Sequence, residues 1–562
     1  MSLAPVLNQL HDYSKQHPAI TCMSIASTLV TPLQDLLLPY LTGNIVDAIH
    51  RRDKGAMHSA ILSIGISILL IQIAYVGVDI IDAKLFPSLQ QFIRQSMLSC
   101  ILEKNENDYS SELHVGDIIS KLVKTPVHLS SWFEALKGMI PNLIVFIVST
   151  AYFWSIDKWL GVMLLIAAIL SFTSVIYNIR NCSEISTARD QSLNLVHEQI
   201  DDLLHNMPTV YASGTKADEI LQIAENESVY LDLFYKTIMC ATKVKMWMVP
   251  VVILLVAGVL WHCNSLLHSG RLTVGRFVSV FTVVLYIMSS MVRIVAHSRT
   301  MVYYWGTIQS SIDMLCCSKK RDVRDARDAR DAIDVRMHHY SPMHPLLSLD
   351  RVSYSPHKLN GVSFQIRFGD RVALVGSMGA GKTTILKLVM QLIKPTSGAL
   401  YWEGVPYSSM SNAQIRSHFG YIPQQAPLFN RTMLENVLYG TEGLTEQDAE
   451  LMAKELGLDH VFRNLPGGFS MEVGKAGSKL SGGQRQAAWI LRMALNRPDV
   501  LVLDEATASM DSTHQELVAD AINKFPTVII VSHDTNFIKK VATRIIRVVG
   551  GRVGGTNPYS DN

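Results

Sequence analysis

Six mostly apolar stretches, each long enough to cross a bilayer as a helix, fill the first 310 positions of this 562-residue chain. A hydrocarbon core of ~30 Å offers backbone amides no partner, so a crossing segment satisfies them internally, which takes about 20 residues of helix. The stretches fall at 19–45, 59–83, 133–155, 157–179, 243–267 and 273–298. Composition supports a multi-pass membrane protein, with 48% hydrophobic residues against 17% charged. A formal net charge of +2 and no clustered Lys and Arg leave nucleic acid without an electrostatic footprint. The opening MSLAPVLNQLHDYSKQHP has no basic segment running into a short apolar one, so no removable signal peptide is expected.

The connections between the stretches are uneven. Ser155–Lys158 joins the third to the fourth, and a few residues around Ser269, Gly270 and Arg271 join the fifth to the sixth. By contrast, residues 84–132 and 180–242 are long, polar and poor in Gly and Pro, so they are expected to continue the helices well past the bilayer. With an even number of spans, both chain ends lie on the side of these long connections. Arg51, Arg52 and Lys54 then fall on the opposite side, against the positive-inside tendency. Ionisable and amide residues sit within or at the ends of spans: Gln34, Asp35, Gln72, Asp79, Asp82 and Arg293. Each is either functional or paired near the bilayer edge. The seven cysteines are scattered with no C-x-x-C pair and read as free thiols, Cys316 and Cys317 closing a helix.

Residues 318–345 turn polar, with Arg-Asp-Ala repeated from Arg324 to Ala332, and read as a linker. After residue 346 short β-branched runs (RVALVG, DVLVLD, TVIIVS) alternate with helical stretches, which implies a mainly parallel, doubly wound α/β domain. The layout is thus an all-α six-helix membrane domain (1–317), a linker, and a soluble α/β P-loop ATPase domain (346–562).

The chemistry concentrates in this second domain. Gly376-Ser377-Met378-Gly379-Ala380-Gly381-Lys382-Thr383-Thr384 follows an apolar strand and opens a helix, the pattern of a phosphate-binding loop. Its glycines let backbone N–H groups close on phosphates, Lys382 neutralises their oxygens, and the Thr383 hydroxyl is a Mg²⁺ ligand. Val500–Leu503 is an apolar strand ending in Asp504 and Glu505; Asp504 suits Mg²⁺, and Glu505 suits a general base for the attacking water. ATP and Mg²⁺ are the expected cofactors.

Leu480-Ser481-Gly482-Gly483-Gln484, just upstream of Asp504, resembles the signature sequence of the ABC transporter superfamily. The resemblance implies that Ser481 and Gly483 meet the γ-phosphate of ATP held by a second ATPase domain, so that two chains sandwich two nucleotides. It further implies that Gln424 touches Mg²⁺ and senses the membrane domain, that His533 is a switch histidine beside the γ-phosphate, and that Asp511 lies in a loop crossing the dimer interface. Glu472 resembles an exporter element contacting the partner's loops, with Lys475 and Ala476 departing from that pattern. Pro356 occupies the place usual for an adenine-stacking aromatic; Tyr354 is the candidate for that role, and by strand alternation it is equally a core residue. Short coupling helices are implied near Asn107–Gly116 and Met207–Thr215. The resemblance as a whole is to exporter-type half-transporters, which implies a multi-pass membrane protein with a cytosolic ATPase domain, partnered by a second copy or a related half, that moves an unidentified peptide, lipid or amphipathic molecule by alternating access. An ATP-gated channel on the same scaffold and an obligate heterodimer are the alternatives.

Overall fold

The computed structural model describes residues 3–106, 115–315, 344–357, 359–505 and 512–558. Most of the stretch expected to form the first coupling helix, most of the linker, Cys316, Cys317 and Asp511 lie outside these residues. The chain divides into two compact units, Met1–Glu103 with Glu112–Lys319, and Lys104–Ser111 with Lys320–Asn562.

The first unit is helical: α1 (Ala4–Gln16), α2 (Pro18–Ser27), α3 (Val30–His50), α4 (Lys54–Glu106), α5 (Val115–Ile156), α6 (Lys158–His205), α7 (Met207–Ser213), α8 (Lys216–His268), α9 (Val274–Ser310) and α10 (Ile312–Leu315). Six segments are long and apolar enough to span a membrane, α2 and α3 together counting as the first. At 1.5 Å per residue the 53-residue α4 and α8 each run ~80 Å, far beyond a ~30 Å core, so the polar continuations expected from the sequence are the same helices carried on. The short α7 sits at the position expected for the second coupling helix. It stops at Gly214, whose φ of 70° closes the helix in the left-handed region that a side chain would resist.

Two glycines set the approach of α3 to α9. A Cβ at Gly275 would lie 2.2 Å from the carbonyl oxygen of Gly43, and one at Gly43 would lie 1.8 Å from Ser279 Oγ. Backbones this close exchange dispersion contacts that lipid would otherwise supply. Asp47 completes the crossing by capping α9, accepting from Thr273 Oγ1 at 2.9 Å and from the Gly275 amide at 2.7 Å.

Three of the polar span residues, Asp35, Asp82 and Arg293, are paired. Asp35, 3% exposed, accepts from Arg293 Nη2 at 2.8 Å, and Arg293 also donates to Asn142, Ser289 and Ser290. Asp82 pairs with Lys137. At membrane depth such pairing removes most of the cost of an isolated charge. The free-thiol expectation is corrected: Cys182 and Cys240 form a disulfide with a Cα–Cα distance of 5.9 Å, and Cys100 is also disulfide-bonded, whereas Cys22 and Cys263 are free. The reason is tertiary, because α6 and α8 pack side by side and bring together residues 58 apart.

The second unit holds ten strands among the described residues: β1 (Leu347–Tyr354), β2 (Leu359–Ile366), β3 (Arg371–Val375), β4 (Ser397–Trp402), β5 (Val405–Pro406), β6 (Phe419–Ile422), β7 (Val500–Asp504), β8 (Thr527–Val531), β9 (Arg544–Val549) and β10 (Arg552–Pro558). Six form one sheet in the order β10-β9-β3-β8-β7-β6, parallel except for β10. Strands β7 and β8 are buried at every position, as strands covered on both faces must be. A separate antiparallel sheet, β2-β1-β4-β5, was not anticipated by the doubly wound reading.

Between the helices Met433–Val437 and Gly482–Asn496, Arg492 is 3% exposed and donates to the Asn436 carbonyl at 2.6 Å and to its side-chain oxygen at 3.1 Å, with Trp489 beneath it at 4.4 Å. Burial pushes this guanidinium down to about 10. Arg492→Ala removes one donor from each Asn436 oxygen, leaving Oδ1 the Phe429 amide at 2.9 Å and the carbonyl the Tyr439 amide at 3.4 Å, and opens a void. It is expected to lower the stability of the second unit by about 2 kcal/mol, read as an earlier melting transition of that unit in the full chain.

Candidate functional site

The site follows from strand order. In parallel sheets ligands sit beyond the carboxyl ends of the strands, where loops diverge and helix N-termini converge. Here β3 runs into the loop 376–381, β6 is followed two residues later by Gln424, β7 ends in Asp504 with Glu505 next, and β8 is followed by Ser532 and His533. Since β3, β8, β7 and β6 are consecutive neighbours, four chain segments far apart in sequence deliver their side chains to one edge.

The phosphate loop is shaped by its glycines at two positions above all. A Cβ on Gly376 would lie 2.2 Å from the Val548 carbonyl oxygen, and Gly381 caps the following helix, Lys382–Val389, at φ 99°. Lys382, 6% exposed, curls back to donate from Nζ to the carbonyls of Gly376 at 2.9 Å and Ser377 at 3.0 Å. Its ammonium therefore lies against the loop formed by Gly376, Ser377, Met378, Gly379, Ala380 and Gly381. Thr384 continues the helix.

Thr383 Oγ1 donates to Asp504 Oδ1 at 3.1 Å. Burial raises the Asp504 carboxyl above its ordinary range, opposed by the Thr383 hydrogen bond, and the neighbouring Glu505 charge adds to the rise. Tyr421 also hydrogen-bonds Asp504. This residue was missed as a contributor in the sequence, because the pairing of β6 with β7 that brings it to Asp504 is a product of the fold. A buried carboxylate beside a hydroxyl, pressed toward protonation, is a donor set that a divalent cation satisfies, so the residues fit Mg²⁺.

Glu505 adopts φ 50°, unusual for a side-chain-bearing residue, and its amide donates to the Val531 carbonyl at 2.8 Å, which holds the turn. Its carboxylate accepts from Gln424 Nε2 at 2.8 Å and faces His533 Nε2 at 3.2 Å. The structure thus brings together Lys382, Thr383, Asp504, Glu505, Gln424 and His533. A loop of amides with a lysine binds polyphosphate, and a carboxylate flanked by an amide and an imidazole can orient water and accept its proton.

The remaining expected residues stand apart. Ser481 caps the helix Gly482–Asn496, its hydroxyl accepting from the Gln484 amide while Gln484 Oε1 accepts from the Ser481 amide. This reciprocal box commits Gln484 to the helix start and leaves Gly482 and Gly483 in its first turn. Among the described residues no hydrogen bond links this turn to the phosphate loop. Tyr354 is half-buried at the end of β1, packs on the core of the antiparallel sheet, and stacks on His357 with ring centroids 5.7 Å apart. Glu472 bridges to Thr432, and Ala476 takes φ 54°.

The comparisons with known proteins agree across both units. The family model for the ABC transporter matches residues 359–508, and that for the ABC transporter transmembrane region matches residues 19–291. The chain is 27% identical over 423 residues to an ATM1-type heavy metal exporter of Novosphingobium aromaticivorans, covering 73% of this chain and 67% of that one. It is 37% identical over 216 residues to an ATP-dependent lipid A-core flippase of Chromobacterium violaceum, covering 37% of each chain. It is 35% identical over 213 residues to the human mitochondrial iron-sulfur clusters transporter ABCB7, covering 36% of this chain and 28% of that one. The match therefore spans about a third of the length of two of these three curated relatives. A solved structure of a bacterial Atm1-family ABC exporter with ATP bound superposes with a TM-score of 0.78 at 22% identity, over 96% of both chains, a likeness of fold.

Proposed function

Since the chain belongs to the ABC transporter superfamily, with the exporter-type half-transporter layout of six spans ahead of one ATPase domain, we propose that two copies of it form a membrane pump coupling ATP hydrolysis to export. The observation that supports this most is the composition of the site. Lys382, Thr383, Asp504, Glu505, Gln424 and His533 gather at one sheet edge, whereas the Ser481 turn is complete in itself and bonded to none of them. A Ser-Gly-Gly turn opening a helix is an anion site awaiting a phosphate from elsewhere, and a second copy supplies one.

In this reading the phosphate loop and Lys382 hold the ATP phosphates, and Ser481 and Gly483 of the other copy close over the γ-phosphate. Asp511 belongs to the loop crossing that interface, and Tyr354 to the adenine side. Mg²⁺ would be held by Thr383, Gln424 and Asp504 and would neutralise the phosphate oxygens. Glu505 orients the attacking water and takes its proton, while His533 steadies the charge that develops on the transferred phosphoryl group. The ATPase domain faces the cytosol, where ATP is. The short helix α7 and the stretch near Asn107–Gly116 carry closure of the ATPase domains to the spans, and the cargo is a peptide, lipid or amphipathic molecule.

Sharing of sites between copies has a clear test. Lys382→Ala and Ser481→Arg, purified separately and reconstituted in nanodiscs, are each expected to be inactive as ATPases. Co-assembled from equal amounts, half of the pairs are mixed, and each mixed pair keeps one intact site. Activity should return to about a quarter of wild type, given sites that act independently. Full inactivity of the mixture, with wild-type chain active alone, counts against shared sites; inactivity of the wild-type chain alone points to a different partner half.

A further inference from the structure

The membrane unit contains a cavity of about 500 Å³ between α3, α5 and α9, within the size range of ligand sites. Its walls are hydrocarbon: Leu33, Leu36 and Leu37 from α3, Ile144 and Val148 from α5, and Val283 from α9. Nothing along these walls can pair with a polar group, so whatever fills the cavity is itself hydrocarbon there. Tyr40 and Tyr152 also line it and bring the first hydroxyls. The Tyr152 hydroxyl hydrogen-bonds Ser279 and lies within electrostatic reach of Arg276, and Ser279 in turn donates to the Pro39 carbonyl at 3.0 Å.

Arg276, Ser279 and Val283 are spaced i, i+3, i+7, so they share one face of α9. Arg276 stands about two turns, ~10 Å, from Val283 toward the start of that helix. It is exposed, and among the described residues it makes no ion pair. The contrast with Arg293 on the same helix is informative, since that guanidinium is fully engaged by Asp35, Asn142, Ser289 and Ser290. Arg276 begins only two residues after the start of α9 at Val274, the level at which a span meets lipid headgroups.

A hydrocarbon cavity at membrane depth, a hydroxyl pair at its end, and an unpaired cation at the level of the headgroups have the outline of one molecule. We propose that the cavity is a binding site for an anionic phospholipid of the bilayer, one acyl chain lying between α3, α5 and α9 and the headgroup phosphate held by Arg276. Bilayer lipid is the occupant favoured by this order of groups, because the charge lies at the end of the helix and not within the cavity. A neutral amphiphile would leave Arg276 unmet.

The test uses full-length protein in nanodiscs containing equal phosphatidylglycerol and phosphatidylcholine with identical chains, followed by gentle extraction and native mass spectrometry of the lipid retained. Wild type is expected to retain phosphatidylglycerol over phosphatidylcholine by about fivefold. Arg276→Gln should bring the two lipids to parity with retention preserved, Arg276→Lys should keep the preference, and Val148→Phe, which fills the cavity, should reduce retention of both. Equal retention by wild type overturns the proposal. So does a preference that survives Arg276→Gln, or displacement of all lipid by an alkyl maltoside with no headgroup dependence. The two Arg276 variants carry no change inside the core, so the proposal remains testable if Val148→Phe does not fold.

Discussion

Glu505→Gln is expected to cut ATP turnover by about 10²- to 10⁴-fold while leaving nucleotide binding in place. The substitution keeps the shape and the contact with Gln424 but removes the carboxylate proposed to take a proton from water. It also leaves Lys382, the phosphate loop and Asp504 untouched, so affinity for ATP should hold within a few-fold. The measurement pairs steady-state phosphate release in nanodiscs with binding of a fluorescent ATP analogue. Turnover within tenfold of wild type would place the base elsewhere, with His533 the next candidate because its Nε2 lies 3.2 Å from the same carboxylate. Loss of binding along with turnover would mean that the variant disturbs the loop, not the proton transfer.

The second large effect is expected in the membrane unit, at the crossing of α3 and α9. Gly275→Ala places a methyl group against backbone, 2.2 Å from the Gly43 carbonyl oxygen and 2.3 Å from Asp47 Cγ, and neither helix can yield without losing the Asp47 cap. A cost of about 3 kcal/mol or more is expected from overpacking together with the lost cap. Gly43→Ala meets a side chain first, Ser279 Oγ at 1.8 Å, with the Gly275 carbonyl oxygen behind it at 2.6 Å. Ser279→Ala should therefore recover part of the Gly43→Ala loss and none of the Gly275→Ala loss. Thermal unfolding followed by size-exclusion of the detergent-solubilised chain reads both. Equal rescue of the two variants would mean that the helices move apart as rigid rods and that the carbonyl contact is not the limiting one.

How far the sequence foretold this molecule depends on whether a feature is local. The phosphate loop, the Asp504-Glu505 strand end and the Ser481 turn are contiguous words whose meaning survives in one dimension, and the six apolar stretches need only length and hydropathy. Gln424 and His533 were found through the family order of motifs, and their convergence on Glu505 became visible only with the strand order β3-β8-β7-β6. Cys182 and Cys240 were misread because helix pairing, not spacing, brings them together. Gly43 and Gly275 carried no signal, since glycine is common in membrane helices and what distinguishes these two is the other's carbonyl. Tyr421 went unseen in the sequence, for its bond to Asp504 crosses from one strand to the next. Tyr354 packs against the sheet core and stacks on His357, while its place beside adenine belongs to the proposed function.

The left-handed backbone at Glu505 carries one more implication, for anyone evolving this chain in the laboratory. A residue with a Cβ held at φ 50° costs on the order of 1 kcal/mol relative to glycine, and asparagine tolerates that region better than glutamate does. Heat-resistance screens that score folded protein alone will therefore enrich Gly or Asn at position 505, and the survivors will be sturdy, nucleotide-loaded and idle. Selection for thermostability in this protein needs turnover as a co-criterion from its first round.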